Sequence, residues 1–242
     1  MKKMLIALVF LLTGCVVKPN PEGFEERQIQ NEHFSLAVWV KDTIQPDQPF
    51  RLYIEGDGNP NPRYQVAKYF ASIDDTPNVI YASRPCQWSE DRICTSKPNI
   101  YAKDRFDSDI MQEMQELTEY LIRKYRAPSI ELIGYDGGAV VALELASKLP
   151  VSRVITIAGI TDTRAYANYN DILIPFNATN PADNLATLST IPQIHYVGSD
   201  DKITPRRLVE RFVSKMHNPK SAVVKVVPDV GHTDWEGIRL DY

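Results

Sequence analysis

The stretch ELIGYDGGAVVALELASKLP, Glu131 to Pro150, constrains the fold more than any other part of the chain. An apolar run of strand length leads into paired glycines, and a helix-forming run follows. Such a strand–turn–helix unit lifts one residue above the sheet edge. Here the turn reads Gly134-Tyr135-Asp136-Gly137-Gly138, the pattern of a nucleophile elbow, G-x-S-x-G, with aspartate where serine is expected.

The rest of the chain alternates strands with helices. FSLAVWV, FRLYIEGDG, NVIYASRP, SIELIGYD, RVITIAGI, QIHYVGSD and AVVKVVPD read as strands. QVAKYFASI reads as a short helix, and DSDIMQEMQELTEYLIRKY as the clearest one. Its Ile110, Met114, Leu117 and Leu121 keep a three-four spacing, and Asp107 or Ser108 can cap its start. A further helix is expected from Pro205, since proline suits a first turn. Near-continuous apolar strands alternating with helices predict an α/β fold with a mostly parallel sheet covered on both faces. Ligands of such sheets sit at the carboxyl ends of the strands.

Three polar residues fall at such ends: Asp136 at the elbow, Asp201 in GSDDKITP and His232 in PDVGHTDW. Nucleophile, acid, histidine is the chain order of the α/β-hydrolase triad, so that fold is expected, with a short lid. Asp200 is the rival acid; Asp201 fits better because Pro205 then opens the next helix in the usual register. In this fold the loop after the YIEGDG strand supplies one oxyanion-hole amide. The backbone N–H groups of Asp57 and Gly137 are the expected donors, since two amides aimed at one point stabilise a developing anion.

The N-terminus speaks to address. MKK and MLIALVFLL form the n- and h-regions of a signal peptide, residues 1–14, too short to span a bilayer as a mature helix. Leu-Thr-Gly-Cys ends the h-region as in a bacterial lipobox, which makes Cys15 the lipidated first mature residue. Val16 after it favours the outer membrane, facing the periplasm. Residues 16–33, polar with prolines, read as a tether. Residues 34–242 then form the domain, roughly 210 residues, enough for one buried core. The net charge is −4 with no basic run after the tether, which argues against nucleic acid. Besides Cys15 the chain holds Cys86 and Cys94, expected to bond in an oxidising compartment. The alternative, a metal pair, lacks further His or Cys ligands. No cofactor motif is evident, so the expected partners are a small-molecule substrate or ligand and, through the lipid, the membrane.

Together LYIEGDG, YASRPCQW with its later cysteine, LIGYDGG, NPAD, HYVGSDDKITP and VGHTDW resemble a group of bacterial α/β-hydrolase lipoproteins. Their usual elbow is Gly-Tyr-Ser-Gly-Gly. The resemblance implies an α/β-hydrolase fold, a bonded Cys86–Cys94 pair and an Asp201–His232 couple beside the elbow. Asp136 is the departure.

Aspartate changes the chemistry. Attack on an ester carbonyl would leave a mixed anhydride, and a carboxylate is a poor nucleophile there. Attack on the saturated carbon of an epoxide or alkyl halide leaves an alkyl ester, which water activated by His232 can hydrolyse. Haloalkane dehalogenases and epoxide hydrolases work this way, but they carry a large helical cap. Here TDTRAYANYNDILIPFNATNPADNLATLST is the only lid, and at that length it reads as a loop. Trp88 is the one candidate halide donor, Trp39 being on an early strand. Tyr166 and Tyr169 can serve as O–H donors or as packing aromatics. Two functions follow: a hydrolase with an Asp136–Asp201–His232 triad, or a hydrolase fold that has lost turnover and serves as a binding or structural lipoprotein. In the second, both carboxylates hold His232 as imidazolium.

Overall fold

The computed structural model describes residues 20–30, 35–57, 65–88, 105–175 and 177–242. Eight strands form one sheet: β1 (Phe24–Gln30), β2 (Ser35–Lys41), β3 (Phe50–Ile54), β4 (Val79–Ala82), β5 (Ile130–Tyr135), β6 (Val151–Ile157), β7 (Gln193–Gly198) and β8 (Ala222–Val227). Their order is β1-β2-β4-β3-β5-β6-β7-β8. β1 and β4 each pair with β2 antiparallel, and every other pairing is parallel. Among the described residues the α-helices are α1 (Val66–Ile73), α2 (Ser108–Tyr125), α3 (Gly138–Ala146), α4 (Thr163–Asn170), α5 (Leu185–Leu188) and α6 (Arg206–Ser214).

Strand alternation divides the core between two faces. Leu52, Ile54, Ile130 and Leu132 point to the side of α2, α3 and α6. Tyr53, Ile133 and Tyr135 point to the side of α1 and the C-terminal Trp235. The expected face of α2 is buried: Ile110, Met114, Leu117 and Leu121. Each such side chain stabilises by about 1.5–3 kcal/mol relative to exposure, as an upper figure. Of the two capping candidates Asp107 acts, accepting from the Asp109 N–H, and Arg126 in the left-handed region (φ 49°) ends the helix. Every residue of α3 is buried, as expected of a helix apolar on all sides and packed between sheet and neighbours.

Two expectations need correction. β1 lies inside the segment read as a tether, so the sheet begins at Phe24 rather than at residue 34. Its charged residues disguise it, but an antiparallel ladder from Phe24–Lys41 to Gln30–Ser35 covers the edge of β2. The lid segment read as a loop holds α4, a 3-10 turn over Pro181–Asn184 and α5. The α4 start is capped by Asp162, which accepts from the Ala165 N–H at 3.0 Å. The signal peptide, Cys15, residues 16–19 and 31–33 of the tether, Gly58 and Cys94 lie outside the described residues, so the expected disulfide is described at its Cys86 end alone.

Candidate active site

β5 delivers Asp136 into the turn before α3, and Asp136 takes φ 49°. That left-handed conformation costs a residue with a Cβ about 1–3 kcal/mol, least for Asp and Asn. Three backbone bonds hold it: Asp136 N–H to Ile157 O, and the N–H groups of Ala139 and Ile160 to Asp136 O, all 3.1 Å. The flanking glycines permit the close approach of helix to strand. A Cβ on Gly134 would lie 2.4 Å from Gly138 O, and one on Gly138 would lie 2.4 Å from Ile54 O.

The loops after β7 and β8 bring the acid and histidine to the same place. His232 Nδ1 lies 2.8 Å from Asp201 Oδ2, and His232 Nε2 lies 3.4 Å from Asp136 Oδ1. The first is a strong charge-assisted hydrogen bond; the second is an ion-pair distance. Asp201 has no side-chain exposure, while His232 and Asp136 keep 11% and 14%. Asp200, the rival acid, is exposed and accepts from the Ser199 hydroxyl. Asp201 Oδ1 also accepts from the N–H groups of Ile203 and Thr204, at 2.8 and 2.9 Å. Thr204 Oγ1 stands 2.7 Å from Asp201 Oδ2, 2.9 Å from Ala158 O and 3.2 Å from His232 Nδ1. The His232 loop is fastened from below, where its carbonyl accepts from Trp235 Nε1 at 2.9 Å and from the Tyr135 hydroxyl at 3.3 Å.

Charge follows from this geometry. Burial pushes the His232 pKa down, but the carboxylates of Asp136 and Asp201 outweigh it and raise it to about 10. Burial pushes the Asp201 carboxyl up, and the His232 and Thr204 contacts bring it below the usual carboxylate range. At neutral pH the centre is therefore an imidazolium between carboxylates.

Asp57 adds a feature that sequence reading did not reach. Its backbone N–H and that of Gly137 flank the elbow, and neither donates to another described residue. Its side chain also turns in, with 1% exposure, and accepts from Arg105 Nη1 at 2.6 Å. Arg84 Nη1 stands 3.7 Å from its other oxygen and the guanidinium also donates to the Arg105 carbonyl. Burial, then the charge of Asp136, push the Asp57 carboxyl up, against the pull of Arg84 and Arg105. Arg84 belongs to the YASRPCQW stretch, whereas no sequence pattern marks Arg105.

The aromatic candidates separate. Tyr166 of α4 is buried, its ring 5.7 Å from the Arg105 guanidinium carbon. Burial, then the charge of Asp136, raise its hydroxyl to about 12. Tyr169 packs instead under Arg207, at 4.5 Å. Trp88 and Trp39 belong to the core on the α1 side.

Neither a family model nor a curated protein sequence matches the chain. Solved structures do. An α/β serine hydrolase homologue from Coxiella burnetii is 15% identical, covers 88% of this chain and 90% of its own, with a TM-score of 0.61. A Pyrococcus furiosus esterase is 14% identical over 88% of this chain and 84% of its own, TM-score 0.60. A lidless α/β serine hydrolase from Xanthomonas campestris is 12% identical over 90% and 89%, TM-score 0.57. At these identities the likeness is one of fold: the chain has the α/β-hydrolase fold.

Proposed function

We propose that the chain is a hydrolase in which Asp136 attacks saturated carbon, with His232 and Asp201 completing the triad and an epoxide as the substrate class. The observation that carries this reading is His232 bridging Asp136 at 3.4 Å and Asp201 at 2.8 Å. The Asp136 carboxylate opens the ring and forms an alkyl ester. The alkoxide takes the Nε2 proton of the imidazolium, leaving neutral His232. With Asp136 esterified, one of the two charges that raised the histidine is gone. His232, still held by Asp201, then takes a proton from water as the water attacks the ester carbonyl. Collapse returns the Asp136 carboxylate, the imidazolium and a diol. An alkyl halide fits less well, because no alkoxide forms to take the imidazolium proton. The Asp57 and Gly137 amides would face the tetrahedral oxygen, with Arg84 and Arg105 offsetting the Asp57 carboxylate. Lipid on Cys15 would hold this domain at the periplasmic face of the outer membrane, on the strength of the Leu-Thr-Gly-Cys sequence.

A second reading rests on the same charges. A histidine held as imidazolium and a carboxylate already lying against Gly137 describe a site that neutralises itself. In that case the fold is a binding or structural lipoprotein without turnover.

Turnover of epoxides, alkyl halides and esters by the wild-type protein, Asp136→Ala and Asp136→Ser separates the two. Wild-type epoxide opening that Asp136→Ala abolishes supports the hydrolase. Intact-mass detection of an alkyl adduct in His232→Gln would place the ester on the enzyme. A wild type inert throughout, with esterase activity gained by Asp136→Ser, sinks the first reading in favour of the second.

A further inference from the structure

Behind α4, on the side away from Tyr166, a cleft of about 760 Å³ opens between α4 and α6. It does not include Asp136, Asp201 or His232. Arg164, Arg207, Arg211 and Lys215 line it, against the acids Asp162 and Asp183. The local balance is therefore two positive charges in a chain whose net charge is −4.

The cations fall into two kinds. Arg164 is held by Asp183 through two bonds of 2.7 Å, and Lys215 by Asp162 at 3.1 Å. These acids fix the walls. Arg207 and Arg211 take part in no ion pair among the described residues, and both are exposed. Arg207 is not loose, however, because its guanidinium lies 4.5 Å over the Tyr169 ring. Stacking holds the plane and leaves the N–H edge free to donate.

The spacing is costly without a ligand. Arg207, Arg211 and Lys215 stand at i, i+4 and i+8, one above another on α6 and its C-cap. Each like-charge pair at that spacing destabilises a helix by about 0.2–0.5 kcal/mol. The one acid of α6, Glu210, is taken by Arg206 at 2.6 Å on a different side. A row of this kind, facing a cleft with a neutral polar wall of Asn168 and Asn180, matches an anion rather than another helix.

Exposed apolar residues follow α4 and precede α6. Asn170, the last residue of α4, donates to the Ile203 carbonyl at 3.0 Å, just before α6 begins. Ile203 is 42% exposed there, and Leu173, just beyond α4, is 88% exposed.

We propose that the α4–α6 cleft binds a phosphate monoester through Arg207 and Arg211, either free in solution or as the headgroup of a lipid whose chains meet Leu173 and Ile203. Guanidinium forks suit a phosphate dianion because two parallel N–H groups meet two oxygens. Arg164 and Lys215, with their acids in place, set the width.

The test is titration of the full chain with inorganic phosphate, followed by calorimetry or by arginine side-chain NMR signals. Wild type should saturate. The Arg207→Gln/Arg211→Gln double variant, exposed on both sites and so expected to fold, should bind about ten-fold more weakly or worse. An Arg123→Gln/Lys124→Gln pair on α2 removes the same charge elsewhere and should bind as wild type does. No saturation, or equal binding by the cleft double variant and wild type, overturns the proposal. Flotation with phosphatidylcholine vesicles, with and without phosphatidate, then assigns the source. Phosphatidate-dependent recovery lost in the cleft variant identifies a lipid headgroup; phosphate saturation without it identifies a soluble phosphate ester.

Discussion

Asp57 Oδ1 packs against the Cα of Gly137 so closely that a Cβ there would lie 1.6 Å from it. The contact joins the end of β3 to the start of α3, and it sets a buried carboxylate beside the elbow. Gly137 is thus fixed by its neighbour rather than by its own φ, which at −66° any residue could adopt. Gly137→Ala is expected to cost about 1–3 kcal/mol, because the Asp57–Arg105 pair must move. In an Asp57→Ala background, itself destabilised by the unpaired Arg105, the same change should cost clearly less. Urea unfolding of the four proteins measures that coupling, and additive effects would refute the contact.

The charge on His232 makes a statement about pH. Its folded-state value is raised from 6.5 to about 10, so folding gains from protonation. That gain is complete below about pH 6.5 and is lost as pH rises through about 10. Denaturation midpoints should fall across this alkaline window in wild type. Asp136→Asn removes one of the two charges and should flatten the decline. Identical slopes in the two proteins would mean that Asp136 does not act on the histidine.

Thr204 is the hinge of the acid arm. Its hydroxyl lies within 3.2 Å of Ala158 O, Asp201 Oδ2 and His232 Nδ1. Thr204→Val keeps the shape and deletes these contacts, leaving buried acceptors short of a donor. A loss of about 1–3 kcal/mol is expected. The His232 titration, followed by NMR, should move as well, since Asp201 loses a partner that holds it in place. An unmoved titration would make Thr204 structural only.

How much of this was legible depended on whether the signal was local. The elbow is local: glycines beside a strand end fix Asp136 whatever surrounds it. The Asp201 and His232 turns are local too, and a parallel sheet carries its loops to one edge. β1 was not legible because FEERQIQ is an edge strand rich in charge, and charge reads as tether. α4 was not legible because TRAYANYN has little apolar periodicity; its Asp162 cap and its packing through Tyr166 and Ala167 supply what propensity lacks. The Asp57–Arg105 pair joins residues far apart in sequence, and nothing in either neighbourhood names the other. Position alone gave Asp57 its amide; which way its side chain turns depends on Arg84 and Arg105.

The edge strand carries the last prediction. β2 is buried from Leu36 to Val40, and β1 occupies one whole side of its ladder. A chain begun at Phe34 would leave the β2 edge unpaired, with apolar side chains on both faces and free N–H and C=O groups along it. Such an edge templates pairing with another copy. Removal also frees Tyr125, whose hydroxyl accepts from Arg27 at 2.9 Å, and takes Phe24 itself out of the α1-side core. The protein begun at Phe34 should therefore elute as oligomers or precipitate on size-exclusion chromatography, while one begun at Asn20 stays monodisperse. Lysine at Ala37 in the shortened chain would not rescue it, because Ala37 points into the core. If the shortened protein proves as monodisperse and as stable as the longer one, β1 is a cover that the sheet does not need.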